Sequence, residues 1–419
     1  MRITEDDLYR SSTQFKHWSF TAAQLAEQRL KTNVQAAERV KANVARQRAQ
    51  RAEQGEHDGL SSGVENGSGA NTPNAVSAGR EVDCLTAEEE SKIVDDFCER
   101  AIKLGTHCNF PFDVMATCIQ YLRRFYLYNS PMTYHVQNIL RTSMFLATKA
   151  ECLHENIDRF AAHSGRNITS ESILAAEYLV MQALRYNLDV RHPFRALKGG
   201  HLELIELAHG RYQHNTPTSA SAAQLQQRMQ RLPTAPSSAA PPHPLSTKAL
   251  EDRINAAYTT TSSTLKSAAL FTDAYFLYTP SQLWLAAHLL ADEPLTLFYL
   301  STKLAPDSTT YPKLVSTLRS CATLLATHRT YRAQSLGPPH RDAVEAQHKQ
   351  EITALIAKLK NCRDPDKVDL VKLNQAHKRD ALVVGQGGGL EESKAKRRKL
   401  AREGYEKESE AFWGPELAK

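Results

Sequence analysis

The chain has 419 residues, of which 41% are hydrophobic and 23% are charged, and its formal net charge at pH 7 is +6. This length allows two domains plus tails and a real apolar core, while so small a positive charge does not by itself indicate nucleic acid binding. No apolar run reaches the ~18 residues that a membrane helix requires, and the polar start MRITEDDLYR predicts no signal peptide. The seven cysteines form no CxxC pair, which favours reduced thiols in an intracellular protein and gives no metal site.

The N-terminal segment, residues 1–54, is predicted to contain a long helix that reaches about residue 51. Its large apolar side chains, among them Leu30 and Val34, form only a narrow stripe between basic and polar residues. Such a stripe suits one helix that lies across another body. Residues 55–82 consist largely of glycine, serine, asparagine and alanine, so they are predicted to form a flexible linker.

Residues 83–190 are predicted to form five helices. The third is apolar nearly all round, which indicates a central position, and it ends in the string LATKAE, which contains Lys149. Without other information, a lysine at the end of a buried helix is simply a residue that reaches solvent. The predicted helices cover about 86–104, 111–128, 135–150, 157–163 and 170–186.

Residues 191–332 repeat this scheme less clearly. An insertion at about 213–247 is rich in Gln, Ser, Ala, Thr and Pro and is predicted to be disordered, and residues 250–278 are predicted to be helical. A further helix is predicted in 333–366 and a flexible basic tail in 367–419. The sequence therefore predicts an all-α protein with two tandem five-helix repeats and an extra helix at each end.

Three strings resemble the cyclin family, and within it the cyclin H branch. They are KHWSF at residues 16–20, RFYLYNSPMTYH at 124–135 and LFTDAYFLYTPSQ at 270–282. The resemblance implies the cyclin fold for both repeats. It also implies a regulatory subunit of a protein kinase, with no catalytic residues and no cofactor of its own.

The resemblance further implies a kinase-binding surface in the first repeat. Lys149 and Glu177 would bind backbone groups around the αC helix of the kinase, since one cation and one carboxylate can satisfy the free groups at a helix end. An apolar groove beside the pair would take an apolar side chain of that helix. The residues expected to line this groove are Leu146, Ala150, Met181, Tyr186 and Leu188.

The expected partners follow from the same resemblance. They are a cyclin-dependent kinase, a RING-containing assembly factor and the core of the transcription and repair factor TFIIH, with no membrane and no direct nucleic acid contact. The substrates of the kinase would be the activation loops of other cyclin-dependent kinases and the RNA polymerase II C-terminal repeats. The expected compartment is the nucleus, and the string KAKRRK is either an import signal or a solvated charge run. Its basic residues are Lys394, Lys396, Arg397, Arg398 and Lys399.

Three other interpretations remain open at this point. A cyclin of the C, K, T or L type would serve another transcriptional kinase. A DNA-binding general factor resembling TFIIB also has two cyclin-like repeats, although it should carry a zinc ribbon and a basic groove that this sequence does not offer. A purely structural helical scaffold is the third, and the substitution Lys149→Glu would separate it from a cyclin.

Overall fold

The computed structural model describes residues 9–58, 82–212, 220–234, 243–336, 338–367 and 370–372. This part of the chain contains helices, turns and loops but no strand, which confirms the predicted all-α class. Among these helices, none combines the length and the apolar composition needed to cross a bilayer.

The helices of the N-terminal half follow the predicted order. The third predicted helix, α5, is buried on almost every face, as expected for a central element. The elements are α1 (Thr13–Trp18), α2 (Ala22–Asp58), α3 (Ala87–His107), α4 (Phe112–Tyr128), α5 (Val136–Ala150), α6 (Ile157–His163), α7 (Ser170–Leu174) and α8 (Glu177–Ala183).

The C-terminal half adds ten helices in the described ranges. Helix α14 packs against five others, α9, α11, α13, α15 and α16, and so forms the centre of this half. The elements are α9 (Phe194–Ala208), α10 (Ala222–Gln230), α11 (Thr247–Lys266), α12 (Ala268–Phe271), α13 (Ala274–Leu277), α14 (Pro280–Ala291), α15 (Glu293–Lys303), α16 (Thr310–Thr327), α17 (Arg329–Ser335) and α18 (Pro338–Asn361), followed by a 3-10 turn (Pro365–Lys367).

Two predicted helices are interrupted, each where a hydroxyl competes for the backbone. The helix expected at 170–186 breaks between α7 and α8, where the Thr142 hydroxyl donates to the carbonyl of Ile173 (2.6 Å), the group that would accept from the N–H of Glu177 in a continuous helix. The helix expected at 250–278 breaks after Lys266, where the hydroxyl of Ser267 donates to the Ser263 carbonyl (2.7 Å).

The prediction that the insertion at about 213–247 is disordered is wrong for the middle of this segment. Residues 222–230 form α10, which starts with a capping box of Ser221 and Gln224 and buries Leu225 and Met229. The other predicted boundaries stay predictions. Helix α2 continues to Asp58, into the expected linker, while residues 59–81 and the tail from 373, with its KAKRRK string, lie outside the described residues.

The chain forms two compact units, each assembled from separate segments. The first unit contains every predicted kinase-binding residue except Leu188, and the second contains most of the C-terminal half. The first unit comprises Gln28–Val94, Tyr121–Tyr186 and Ile356–Lys419, and the second comprises Met1–Glu27, Asp95–Gln120 and Asn187–Leu355.

In the first unit, the turn NSPMT after α4 is held from three sides. The hydroxyl of Ser130 donates to Oε1 of Glu90 on α3. The carbonyl of Met132 accepts from the N–H of Asp364 (2.8 Å), whose Oδ1 accepts from Nδ2 of Asn43 on α2 (2.9 Å). The turn is therefore linked to α3 and to the segment after α18, and through Asp364 to α2, by hydrogen bonds of which the Ser130–Glu90 bond is buried.

In the second unit, the KHWSF and DAYFLY strings contact each other. The N–H of Phe20 donates to the carbonyl of Phe276 (2.8 Å), and the two rings meet edge to face with centroids 5.9 Å apart. The hydroxyl of Tyr275 lies 3.0 Å from Nδ1 of His192, whose Nε2 lies 2.9 Å from Oγ1 of Thr117. Two of the strings that carry the resemblance thus form one packed site.

Candidate functional site

The structure brings Lys149 and Glu177 together, although they are 28 positions apart in the chain. Lys149 lies in the last turn of α5 and Glu177 is the first residue of α8, and Nζ of the lysine forms an ion pair with Oε1 of the glutamate. Both charges suit their helix ends, because a helix C-terminus favours a cation and a helix N-terminus favours an anion. The pair thus marks a point where two helix ends meet.

The pair is exposed, with side-chain exposures of 47% for Lys149 and 19% for Glu177. An exposed ion pair contributes only about 0–1 kcal/mol to folding. An ammonium has three donors and a carboxylate can accept several hydrogen bonds, so both groups can bind a further partner. Nζ also lies 4.6 Å from the centroid of the Phe145 ring, which places the cation over an aromatic face.

The end of α5 directs Lys149 outward. The N–H of Glu151 closes the helix on the carbonyl of Ala147 (2.9 Å), and the N–H of Leu153 returns to the carbonyl of Thr148 (2.8 Å). Between them Cys152 has a φ of 56°, the left-handed conformation that commonly ends helices. The chain therefore turns away after α5 and leaves the lysine at the surface.

The residues expected to line an apolar groove differ in their exposure. Tyr186 is exposed, and Ala150 and Met181 are half-buried. Leu146 is buried, so it can only form the floor of such a groove. Leu188 is half-buried and belongs to the second unit, and its place beside the pair stays a prediction.

The sequence reasoning missed Tyr178, the residue after Glu177. Its side chain is 59% exposed, and its ring meets that of Tyr186, which is 57% exposed, edge to face with centroids 6.3 Å apart. Leu174 is exposed as well. A signal was present, because the buried residues of this segment recur at helical spacing and these large apolar residues fall off that stripe.

The backbone at Tyr186 is held in an unusual conformation. Arg185 and Tyr186 have φ values of 54° and 55°, a region that bulky residues rarely adopt and that costs roughly 1–2 kcal/mol per residue. The N–H of Tyr186 bonds to the carbonyl of Met181 (2.9 Å), and the Arg185 guanidinium lies 5.4 Å from the Tyr128 ring centroid. Strain of this kind persists where the surrounding structure fixes it, and it is concentrated at functional surfaces.

Two family comparisons cover both repeats. Residues 92–189 match the cyclin N-terminal domain, and residues 192–326 match the cyclin C-terminal domain. The chain belongs to the cyclin family. Lys149, Glu177 and Tyr186 all lie within the part that matches the N-terminal domain.

Relatives of this cyclin carry cyclin H and CCL1 names, which confirms the predicted branch. Cyclin CCL1 of Saccharomyces cerevisiae is 29% identical over 302 residues, covering 72% of this chain and 62% of that protein. Probable cyclin-H of Echinococcus multilocularis is 31% identical over 222 residues, covering 52% of this chain and 59% of that protein. The chain thus spans about three fifths of the length of these curated relatives.

A solved structure agrees with the fold. A chain in the structure of the CAK complex from Chaetomium thermophilum bound to ATP-γ-S is 29% identical, with a TM-score of 0.65, and the match covers 91% of this cyclin and 96% of that chain. In the described part of this cyclin, no group of three His, Cys, Asp or Glu residues is arranged to hold a metal ion.

Proposed function

We propose that this cyclin is a non-catalytic regulatory subunit that binds and activates a cyclin-dependent kinase. The observation that carries the proposal is the exposed ion pair of Lys149 and Glu177 beside the exposed rings of Tyr178 and Tyr186. Charged groups with spare hydrogen-bonding capacity next to exposed aromatic side chains are typical of a protein interface with a desolvated centre and a polar rim.

The chemistry of the pair suits the end of a partner helix. Lys149 can donate to free carbonyls, and Glu177 can accept from free N–H groups, without requiring particular side chains on the partner. An apolar side chain of the kinase αC helix would lie against Tyr178 and Tyr186. Binding that is tighter to the inward position of αC shifts the kinase population toward its active state, because a ligand favours the conformation for which it has higher affinity.

The proposed complex is of the CDK-activating type, with a RING-containing assembly factor as third subunit and with the TFIIH core as its larger assembly. Its substrates are CDK activation loops and the RNA polymerase II C-terminal repeats, and its compartment is the nucleus. The relatives named cyclin H and CCL1 and the CAK complex of Chaetomium thermophilum support this choice over a C, K, T or L type cyclin.

The partner can be identified by recovering the tagged full chain from the cells that produce it, followed by mass spectrometry and kinase assays. The expected result is one cyclin-dependent kinase and one RING protein, with activity on CDK activation-loop and polymerase-tail peptides. Recovery of a different kinase class, or of no kinase, contradicts the proposal.

The role of the ion pair can be tested with Lys149→Glu in the same recovery experiment. Reversing this charge places two carboxylates together and should remove kinase binding. A matched control is Arg211→Glu, which reverses the cation of an exposed pair with Glu206 (3.0 Å) in the second unit. The control should recover the kinase like the unmodified chain, and equal loss in both variants would contradict the assignment.

Nuclear import through the basic cluster at 394–399 is also part of the proposal. Alanine at all five basic positions of the fluorescent full-length fusion should shift it toward the cytoplasm. Arg397→Lys with Arg398→Lys keeps the charge and should leave the distribution unchanged. Unchanged distribution of the alanine variant would contradict an import role for this cluster.

A further inference from the structure

The second unit contains a groove that the kinase-binding proposal does not use. It encloses about 680 Å³ between the end of α10, the start of α15 and the face of α16. Its floor is apolar, and its rim carries three arginines and one glutamate. The floor comprises Leu232, Pro233, Pro294, Leu297 and Phe298, and the charged rim comprises Arg228, Arg231, Arg319 and Glu293.

A buried ion pair fixes one wall of this groove. The Arg253 guanidinium donates to both carboxylate oxygens of Asp292 (2.6 and 2.8 Å) and also to the carbonyls of Leu232 (3.2 Å) and Pro233 (2.7 Å). Helix α10 is held in addition by Gln226, whose Nε2 donates to the Ala208 carbonyl (2.7 Å). A wall that is already ordered costs little entropy when a ligand binds.

The rim has an excess of positive charge. Arg319 pairs with Glu293 (2.9 Å), whereas Arg228 and Arg231 are exposed and pair with no acidic side chain of the described ranges. The Arg228 guanidinium lies 5.8 Å from the centroid of the Phe298 ring, at the edge of the apolar floor. An occupant with complementary charge must therefore be acidic and must also offer an apolar side chain.

The groove continues past the Arg319–Glu293 pair into a second hollow of about 510 Å³. This hollow is lined by Leu289, Leu290 and Ala326 and shares both members of the pair with the first. Two connected hollows suit an extended chain rather than a compact small molecule. Among the described residues that line the two hollows, Phe298 has the one aromatic ring, and it is buried. This lining therefore offers no exposed ring on which a nucleic acid base could stack.

We propose that this groove binds an acidic peptide segment of a partner protein, with a large apolar side chain seated on Leu297 and Pro233 and carboxylates on Arg228 and Arg231. The site is separate from Lys149 and Glu177. Whether the peptide experiments below succeed or fail therefore does not bear on the kinase-binding proposal.

A random 12-residue phage peptide library, selected on the full chain, tests this directly. Binders to the variant Arg228→Glu with Arg231→Glu are removed first, so that only groove-dependent peptides remain. The survivors should combine several Asp or Glu residues with a large apolar residue. No survivors, or survivors without acidic residues, would overturn the proposal.

The selected peptides then serve as probes in fluorescence anisotropy. The double variant should weaken their binding roughly tenfold or more, as loss of close charge pairs does. The control Lys248→Glu with Lys313→Glu makes the same charge change at exposed sites outside the groove, and Lys149→Glu lies in the other unit. Both should change the affinity less than about twofold, and an equal loss in the charge-matched control would overturn the assignment to the groove.

Two further arms distinguish the remaining outcomes. Leu297→Ser should weaken the same peptides, since it removes apolar floor without changing charge, and circular dichroism confirms that the variant is folded. A labelled 15-nucleotide single strand should bind weakly. If the strand bound more tightly than the peptides and the double arginine variant lost this binding, the occupant of the groove would be nucleic acid, which would overturn the peptide proposal.

Discussion

The Lys149–Glu177 pair and the Arg253–Asp292 pair both join a cation to a carboxylate, but their surroundings differ. In the first unit, Lys149 and Glu177 are 47% and 19% exposed. In the second unit, Arg253 and Asp292 are 13% and 9% exposed, and the guanidinium binds two backbone carbonyls as well as the carboxylate. One pair is left with free hydrogen-bonding capacity, while the other is nearly saturated by its own chain.

This difference separates a pair that we propose binds a partner from a pair that holds the fold. A buried pair that loses one member leaves an uncompensated charge in the interior, which is strongly destabilising. An exposed pair can be broken at little cost to folding, because water replaces the lost contact. The comparison therefore predicts opposite consequences for the two sites.

The largest expected effect is at the buried pair. Arg253→Leu leaves Asp292 buried without its cation and frees the carbonyls of Leu232 and Pro233, so the second unit should lose about 3–5 kcal/mol. Intrinsic fluorescence of the Trp413→Phe chain in a denaturant titration reports this unit, since the two remaining tryptophans, Trp18 and Trp284, lie in it and are buried. If the unfolding free energy fell by less than about 1 kcal/mol, as it does when an exposed pair is broken, the proposed difference between the two pairs would be contradicted.

Glu90 offers a third case, a carboxyl group that is buried and hydrogen-bonded to Ser130. Burial raises the pKa of Glu90 from 4.5 to about 7, against the hydrogen bond from Ser130, which lowers it. Between these two pKa values the folded first unit keeps a proton that the unfolded chain releases. The free energy of unfolding therefore falls by about 3 kcal/mol in total as the pH rises from 4.5 through 7. Glu90→Gln should remove this fall, which hydrogen exchange of peptides from α5, a helix that lies wholly in the first unit, can measure at pH 6 and pH 8. A slope that survives in the variant would assign it to other groups.

His288 should act in the opposite direction in the second unit. Burial lowers the pKa of His288 from 6.5 to about 4, and its Nδ1 donates to Oγ1 of Thr296 (2.6 Å), whose own proton goes to the Asp292 carbonyl. As the pH falls, the unfolded chain binds a proton at this histidine before the folded unit does. The free energy of unfolding of this unit therefore falls by about 3 kcal/mol as the pH falls from 6.5 through 4. Tryptophan fluorescence of the Trp413→Phe chain in denaturant at pH 7 and pH 5 checks this. Equal stability at both values would contradict it.

The smallest stability effect is expected at the exposed rings. Tyr178→Ala should change the unfolding free energy by less than about 0.5 kcal/mol, as surface substitutions usually do. Its kinase affinity should fall roughly tenfold, because a truncated aromatic anchor typically costs more than 1 kcal/mol at an interface. Thermal unfolding and titration with the purified kinase measure the two quantities. Loss of stability without loss of affinity would make Tyr178 a packing residue only.

The sequence predicted the all-α class and most of the helices, but not the rotation of α2, and the binding role of Lys149 and Glu177 stays a prediction. Leu30 and Val34, predicted on the packed stripe, are exposed. The buried face instead presents Thr32, whose hydroxyl donates to the carbonyl of Leu127 (2.9 Å), and Asn33, whose Nδ2 donates to the carbonyl of Leu85 (2.8 Å). Apolar periodicity cannot reveal such contacts, because they depend on carbonyls far away in the chain.

The helix in the insertion was also missed, although here the sequence did contain a signal. The capping box at Ser221 and the pair Leu225 and Met229 at helical spacing indicate a short amphipathic helix. The polar composition outweighed these signals. The bond from Arg253 to the Pro233 carbonyl could not be predicted, since it joins residues whose proximity only the folded chain creates.

The most direct test of the account is kinase affinity and unfolding free energy of Lys149→Glu, Glu177→Lys and the charge-swapped double variant of the full chain. We expect each single variant to lose roughly 100-fold in affinity, or about 2.7 kcal/mol. The double variant should not recover it, because the reversed charges face the wrong backbone groups, and unfolding should change by less than about 1 kcal/mol in all three. Full recovery of kinase binding in the double variant would show that the two charges serve only each other, and would contradict the account.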